Sequence, residues 1–326
     1  MSNDVLCLRP EADFTRVDAP APATLRVSYR APDDSALAEL MSAADALIIP
    51  AVGPKLAPNL FDDGRLKLVQ VTGAGVDRLD REALIARGIP VANVAGGSNP
   101  AVAEYAVTAA SLLLRRFAWA DAEIRSGNYA ACRARIMADN LPGLDGLLIG
   151  IVGLGAIGLA VAQAFHRAGC RICYHDPAPR DPQAAKALGA EPLALDALLA
   201  GADVVSLHVP LLPQTQGLMG GREISLMKQG AVLIQASRGG VVDEAALAAR
   251  LAAGTLTGAA IDVYSSEPPA ADNPLLALTG EAARRLLFTP HIAGVTRQSW
   301  AYLFRAAWQN IERVLLHGEA PLSRVY

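Results

Sequence analysis

At 326 residues, 52% of them hydrophobic, the chain exceeds what one core usually serves, so two domains are the first expectation. Its 29 basic and 32 acidic residues lie mixed along the sequence and leave a formal net charge of -3. That balance gives no electrostatic case for a nucleic-acid or anionic-membrane partner and makes small-molecule chemistry the default. The opening Met1-Ser2-Asn3-Asp4 has no basic region ahead of an apolar stretch, so no secretory signal is expected and the protein is placed in the cytoplasm.

In chain order, Val5 to Leu8, Ala46 to Ile49, Leu68 to Val71 and Val91 to Asn93 read as strands, with helices predicted over Asp34 to Met41 and Arg81 to Arg87. This is an α/β pattern with a parallel sheet. From Pro100 to about Ser126 a long helix is predicted, with Glu104 in its first turns and an apolar stretch from Ala109 to Leu114, and it could bridge two domains. After a loop around Asn140 to Gly146 the alternation resumes. Leu147 to Val152, Arg171 to Tyr174, Val204 to His208, Ala231 to Gln235, Gly258 to Asp262 and Leu286 to Thr289 are predicted strands, the six that a dinucleotide-binding fold calls for. A last helix over Trp300 to Leu316, ended by Gly318 and Pro321, most simply packs back on the N-terminal domain.

The uncharged run from Gly146 to Phe165 is long enough to resemble a membrane span, but its glycines fit a strand, a turn and a helix better. Cys7, Cys132, Cys170 and Cys173 do not amount to a disulfide framework and read as reduced thiols. The spacing of Cys170 and Cys173 invites a metal or redox reading. Strand alternation turns the two to opposite faces, however, and no metal site is expected.

Gly153-Leu154-Gly155-Ala156-Ile157-Gly158 follows one predicted strand and opens the helix Leu159 to Arg167. There the glycines permit a tight turn and the approach of backbone to a pyrophosphate at a helix N-terminus. Asp176, 18 residues after Gly158, ends the next strand, where its carboxylate could accept from ribose hydroxyls and repel a 2′-phosphate. NAD is therefore expected over NADP, although Arg180 lies close enough to favour the phosphate, and Asp176 before Pro177 also suits a plain turn.

Three more segments put polar residues at the C-terminal end of an apolar strand, the edge where open α/β sheets bind ligands. They are Ala236-Ser237-Arg238-Gly239-Gly240, Asp262 with Glu267, and Thr289-Pro290-His291. Here the chain resembles the D-isomer-specific 2-hydroxyacid dehydrogenases over nearly its whole length. The resemblance is carried by Val71 through Asp77, Asn99 through Glu104, Gly153 to Gly158, His208-Val209-Pro210-Leu211, Arg238 through Glu244, Asp262-Val263-Tyr264 with Glu267-Pro268, and Pro290 through Gly294.

The resemblance implies two Rossmann-like or flavodoxin-like parallel-sheet domains with an interdomain cleft. Residues 1–99 plus 296–326 would bind substrate and 100–295 would bind NAD. Arg238 would hold the substrate carboxylate and carbonyl oxygen, His291 would give and take the proton, and Glu267 would pair with His291 and favour its protonated form. Backbone N–H groups of Ala74 and Gly75 would help hold the carboxylate. Asp262 would contact the nicotinamide end, and Val209, Ala236, Ser237 and Gly294 would line the cofactor.

Two departures stand out. Ala156 occupies a position where many relatives carry arginine. The loop Pro50-Ala51-Val52-Gly53-Pro54-Lys55 lacks the arginine of phosphoglycerate-acting relatives, which Lys55 would only partly replace. Glu267, where formate dehydrogenases carry glutamine, favours a 2-oxo acid, with hydroxypyruvate or glyoxylate as first expectations and phosphite or a nicotinamide-sensing corepressor role as the alternatives. A homodimer joined through the helix from Pro100 is expected by the same resemblance.

Overall fold

The computed structural model describes residues 3–62, 65–178 and 182–326, so Arg180 lies outside the described residues. The chain divides into two units, Met1–Ser98 with Val295–Tyr326, and Asn99–Gly294.

The first unit is built on five strands: β1 Asp4–Cys7, β2 Arg26–Tyr29, β3 Ala46–Ile49, β4 Leu68–Val71 and β5 Val91–Ala92. All pair in parallel in the order β2-β1-β3-β4-β5, that of flavodoxin-like sheets. Every residue of β3 and β4 is buried, as expected of a parallel sheet covered on both faces. Phe304, Ala307, Trp308 and Ile311 of the C-terminal helix pack on one face, and Met41, Phe61 and Leu84 on the other.

That helix runs Arg297–Leu315, beginning three residues before the expected start. Thr296 Oγ1 accepts from Ser299 N while Ser299 Oγ accepts from Thr296 N, a capping box with serine in the place usual for Glu or Gln. The edge strand β2 was not among those predicted. It is short, with Arg26 and Ser28 turned outward and no second neighbour to bury it, so its apolar signal is weak.

The second unit carries β6 Leu148–Val152, β7 Arg171–His175, β8 Glu191–Pro192, β9 Val204–Leu207, β10 Val232–Gln235, β11 Gly258–Ile261 and β12 Leu286–Phe288. Their order, β12-β11-β10-β9-β6-β7-β8, is that of a dinucleotide-binding sheet with one strand added. Seven strands therefore replace the six expected. The missing one, β8, is two exposed residues with a proline, a composition tolerated only at an edge. Between β6 and β9 the chain order reverses, which creates the crevice such sheets use for nucleotides.

The predicted helix from Pro100 to Ser126 is two helices, Asn99–Leu114 and Phe117–Arg125, broken at Arg116, whose φ is 51°. Both lie inside the second unit, the first beginning at its first residue. Its apolar face packs against helix Ala156–Arg167 and against β10 and β11. A further helix, Tyr129–Asp139, was not predicted; it buries only Cys132 and so shows no apolar stripe.

The Gly146 to Phe165 run forms β6, a turn and the start of a helix. Among the described residues no helix is long and apolar enough to cross a membrane. The four cysteines are free and buried. Cys170 and Cys173 belong to core clusters on opposite faces of the sheet, and burial pushes each thiol up to about 11.

Candidate active site

Most of the candidate residues lie in the second unit, just beyond the C-terminal ends of its strands. After β6, Gly153 takes φ 92°, and a Cβ there would meet the carbonyl oxygen of His208 at 2.6 Å. A Cβ at Gly158 would fall on the carbonyl oxygen of Gly153, so this glycine is demanded by the packing of turn on helix. At Gly155 the direction of a Cβ is free of protein atoms within 4 Å.

Helix Ala156–Arg167 starts from Gly155, and among the described residues no side chain caps its first N–H groups. Buried Val161, Ala162 and Phe165 hold its far side to the core. Ala156 and Ile157 form the first turn, and the Ala156 carbonyl accepts from Asn99 Nδ2 at 3.1 Å. An uncapped helix start beside an open glycine fits the pyrophosphate of a dinucleotide.

After β7, Asp176 is already engaged within the protein. Leu154 N donates to its Oδ2 at 2.8 Å and Ala178 N to its Oδ1 at 3.0 Å. It is thus a turn residue and a clamp on the glycine loop at once, and a carboxylate with about four acceptor positions can still receive a hydroxyl.

After β9, His208 precedes Val209. Its Nε2 lies 2.8 Å from Ser206 Oγ, while its buried Nδ1 finds no partner among the described residues. Burial lowers the imidazole pKa to about 4.

After β10, the buried side chain of Gln235 folds over the next turn. Its Oε1 accepts from Ser237 N and Oγ, and its Nε2 donates to the Arg238 carbonyl. This shapes Ala236, Ser237 and Arg238 as a unit. Arg238 Nη1 donates to Ser237 O at 2.7 Å. A Cβ at Gly239 would strike the Tyr264 carbonyl, so this turn lies directly against the segment that leads to Glu267.

After β11 and β12 come the acid and the imidazole. His291 Nδ1 lies 2.8 Å from Glu267 Oε2, and Tyr264 N donates to Glu267 Oε1 at 3.3 Å. His291 has φ 55°, a conformation that side-chain-bearing residues rarely adopt.

Asp262, only 1% exposed, holds that loop. Its Oδ1 accepts from Thr289 Oγ1 at 2.6 Å and from Ile292 N at 2.8 Å, its Oδ2 from Ala293 N at 2.9 Å, and its carbonyl from His291 N at 2.8 Å. Gly294 closes the segment. Thr289 stands beside Pro290 and His291 at the strand end but just outside the stretch that carries the resemblance, and its hydroxyl before Pro290 is the available signal. Tyr105, 2.8 Å from that hydroxyl, was missed too; one polar group in an Ala-rich helix was its only trace.

Ala74 and Gly75 stand in the first unit, in the turn after β4. Asn93 Nδ2 donates to the Ala74 carbonyl at 2.7 Å and Val94 N to that of Gly73 at 3.0 Å, fixing the turn. Among the described residues the N–H groups of Ala74 and Gly75 donate to no protein acceptor, which suits an anion. The loop after β3 packs closely here, since a Cβ at Gly73 would meet that of Ala51 at 2.7 Å.

Comparison with known proteins shows the family. The family model "D-isomer specific 2-hydroxyacid dehydrogenase, NAD binding domain" matches residues 107–293. A glyoxylate reductase of Korarchaeum cryptofilum is 31% identical over 97% of this chain and 93% of its own length. A D-3-phosphoglycerate dehydrogenase of Archaeoglobus fulgidus is 37% identical over 72% of this chain but only 42% of its own. The chain thus spans under half the length of the phosphoglycerate dehydrogenases it matches. Among solved structures, the apo form of Rhodotorula graminis D-mandelate dehydrogenase superposes with a TM-score of 0.85 at 27% identity, covering 100% of this chain and 98% of that one.

Proposed function

The chain belongs to the D-isomer-specific 2-hydroxyacid dehydrogenase family, with residues 107–293 as its NAD-binding domain, and on that premise we propose an NAD-dependent oxidoreductase acting on a small D-2-hydroxy acid or 2-oxo acid. The observation that carries this reading is the His291–Glu267 pair, 2.8 Å apart at the same sheet edge as the glycine loop. Glyoxylate and hydroxypyruvate are the proposed substrates. Their support is the near full-length match to a glyoxylate reductase and a loop from Pro50 to Lys55 that carries no arginine.

NAD, when bound, supplies or receives the hydride at C2. Gly153, Gly155, Ala156, Ile157 and Gly158 would hold its pyrophosphate, Asp176 its ribose, and Val209, Ala236, Ser237, Asp262 and Gly294 its remaining length. Arg238 fixes the substrate carboxylate and offsets the negative charge that develops on the carbonyl oxygen during reduction. His291 donates the proton to that oxygen, so one hydride and one proton convert the 2-oxo group to the alcohol; in the other direction the imidazole takes the proton back. Glu267 accepts from Nδ1 and leaves Nε2 as the working nitrogen. Ala74 and Gly75 in the first unit, the proposed substrate-binding domain, add N–H donors for the carboxylate.

A homodimer is part of the proposal, joined through the segment from Pro100 to Ser126, of which the helix that begins at Asn99 uses its apolar face inside its own unit and the helix Phe117–Arg125 leaves apolar residues exposed. Exposed Phe117 and Ile124 in that segment, with Tyr129 and Met137 on the next helix, would supply the apolar surface. Free buried cysteines fit a reducing compartment, which supports a cytoplasmic location.

The deciding experiment follows NADH oxidation with glyoxylate, hydroxypyruvate, bulkier 2-oxo acids and 3-phosphohydroxypyruvate, and NAD reduction with phosphite. Turnover of a small 2-oxo acid that drops about a hundredfold or more in Arg238→Ala and His291→Ala, with NADH still bound, is the expected result. NADH binding without turnover of any of these compounds would leave a nicotinamide-sensing role in its place.

A further inference from the structure

His291 sits in a left-handed backbone conformation, φ 55°, on a loop that has to aim an imidazole, so something must hold that loop in place. The hold is a chain of hydrogen bonds that starts on another element. Tyr105 of helix Asn99–Leu114 places its hydroxyl 2.8 Å from Thr289 Oγ1. Thr289 Oγ1 donates to Asp262 Oδ1 at 2.6 Å, and the same carboxylate receives the N–H groups of Ile292 and Ala293, the two residues that follow His291.

The direction of this chain follows from its chemistry. Thr289 has one hydroxyl proton, and it is donated in the hydrogen bond to Asp262. Thr289 Oγ1 can then only accept from Tyr105, so Tyr105 is the donor at the head of the series. Burial, with the Asp262 carboxylate adding to it, pushes the Tyr105 hydroxyl up to about 12, which keeps that proton in place through the neutral range.

We propose that Tyr105 is a positioning residue for His291, its hydroxyl acting through Thr289 and Asp262 to hold the imidazole where it meets Glu267. The proposal rests on His291 being the proton donor, and it extends that reading to a residue that touches neither substrate nor cofactor in the proposed site. Tyr264 anchors the same loop from the other side, donating from its hydroxyl to the Thr289 carbonyl at 3.0 Å. The loop therefore has two tyrosine supports, of which only Tyr105 acts through the Asp262 carboxylate.

The test uses full-length Tyr105→Phe, Thr289→Val and Thr289→Ser. With a 2-oxo acid substrate, Tyr105→Phe is expected to lower kcat about fivefold, the factor set by one neutral hydrogen bond, with KM for NADH unchanged. Thr289→Val should lose roughly tenfold or more, because a bond to a carboxylate is stronger, and Thr289→Ser should restore most of it. Adding Tyr105→Phe to Thr289→Val should cost nothing further, since the series is already cut.

Amide hydrogen exchange gives a readout without catalysis. The peptide spanning residues 289–293 should exchange faster in Tyr105→Phe and Thr289→Val than in wild type, and at the wild-type rate in Thr289→Ser. Wild-type kcat and wild-type exchange in Tyr105→Phe would overturn the proposal, as would faster exchange spread evenly over the whole second unit, which marks a packing role. A wild-type protein that turns over no 2-oxo acid refutes the functional reading, while the exchange comparison still decides whether Tyr105 holds the loop.

Discussion

Glu267 and His291 stand 2.8 Å apart with the acid held on its other oxygen by the Tyr264 N–H, so the carboxylate is fixed before it fixes the imidazole. Because Glu267 accepts at Nδ1, Nε2 is the nitrogen left for substrate. Glu267→Gln retains a hydrogen-bonding group but offers an amide that can point either donor or acceptor at the ring. We expect kcat for 2-oxo acid reduction to fall about tenfold, a loss of about 1.4 kcal/mol, with NADH affinity unchanged. Steady-state kinetics beside a fluorescence titration of NADH separates the two quantities, and equal losses in both would remove Glu267 from the catalytic step.

Two glycines of one motif should fail differently. A Cβ at Gly158 would fall on the Gly153 carbonyl, so Gly158→Ala should lower the thermal midpoint of the protein as turn and helix are forced apart. Gly155 has φ -71° and open space where a Cβ would stand, so Gly155→Ala should fold with an unchanged midpoint yet bind NADH more weakly. Thermal denaturation with and without NADH checks both. A Gly155→Ala protein that binds NADH as wild type does would show that the pyrophosphate lies elsewhere.

Asp176 ties two roles together, because the carboxylate proposed to face the ribose also receives the Leu154 N–H at 2.8 Å. Asp176→Ser removes the negative charge that disfavours a 2′-phosphate and slackens the glycine loop. The ratio of kcat/KM for NADH to that for NADPH should fall by roughly tenfold or more, the scale of a charge-assisted hydrogen bond, with NADH binding weakened as well. An unchanged ratio would leave Asp176 as a turn residue alone.

His208 makes stability depend on pH. Its folded pKa is lowered by burial to about 4 from the ordinary imidazole value of 6.5, so between these values the unfolded chain binds more protons than the folded one. Its contribution is complete above about pH 6.5, shrinks at up to about 1.4 kcal/mol per pH unit as pH falls, and is exhausted near pH 4. Urea unfolding from pH 7 to 4.5 should show this slope, and His208→Asn should flatten it. Parallel slopes in the two proteins would assign the acid sensitivity to other groups.

Wherever a signal is local, the sequence by itself determined it. The strand, glycine turn and helix from Leu148 to Arg167 are legible because hydrophobic periodicity and the steric demand for glycine act within about twenty residues. The acids, the arginine and the histidine at the ends of β7, β10, β11 and β12 are legible for the same reason, each following an apolar strand.

Tertiary structure alone decided what those residues do to each other. Asp262 reaches Thr289, Ile292 and Ala293 across 27 to 31 positions, and Tyr105 reaches Thr289 across 184, distances over which no period or spacing carries information. The two-residue strand β8 and the break at Arg116 are likewise set by neighbours, since a proline-bearing edge and a left-handed arginine have no apolar pattern of their own. A buried carboxylate is satisfied by whichever donors the folded chain brings to it, and only the fold says which they are.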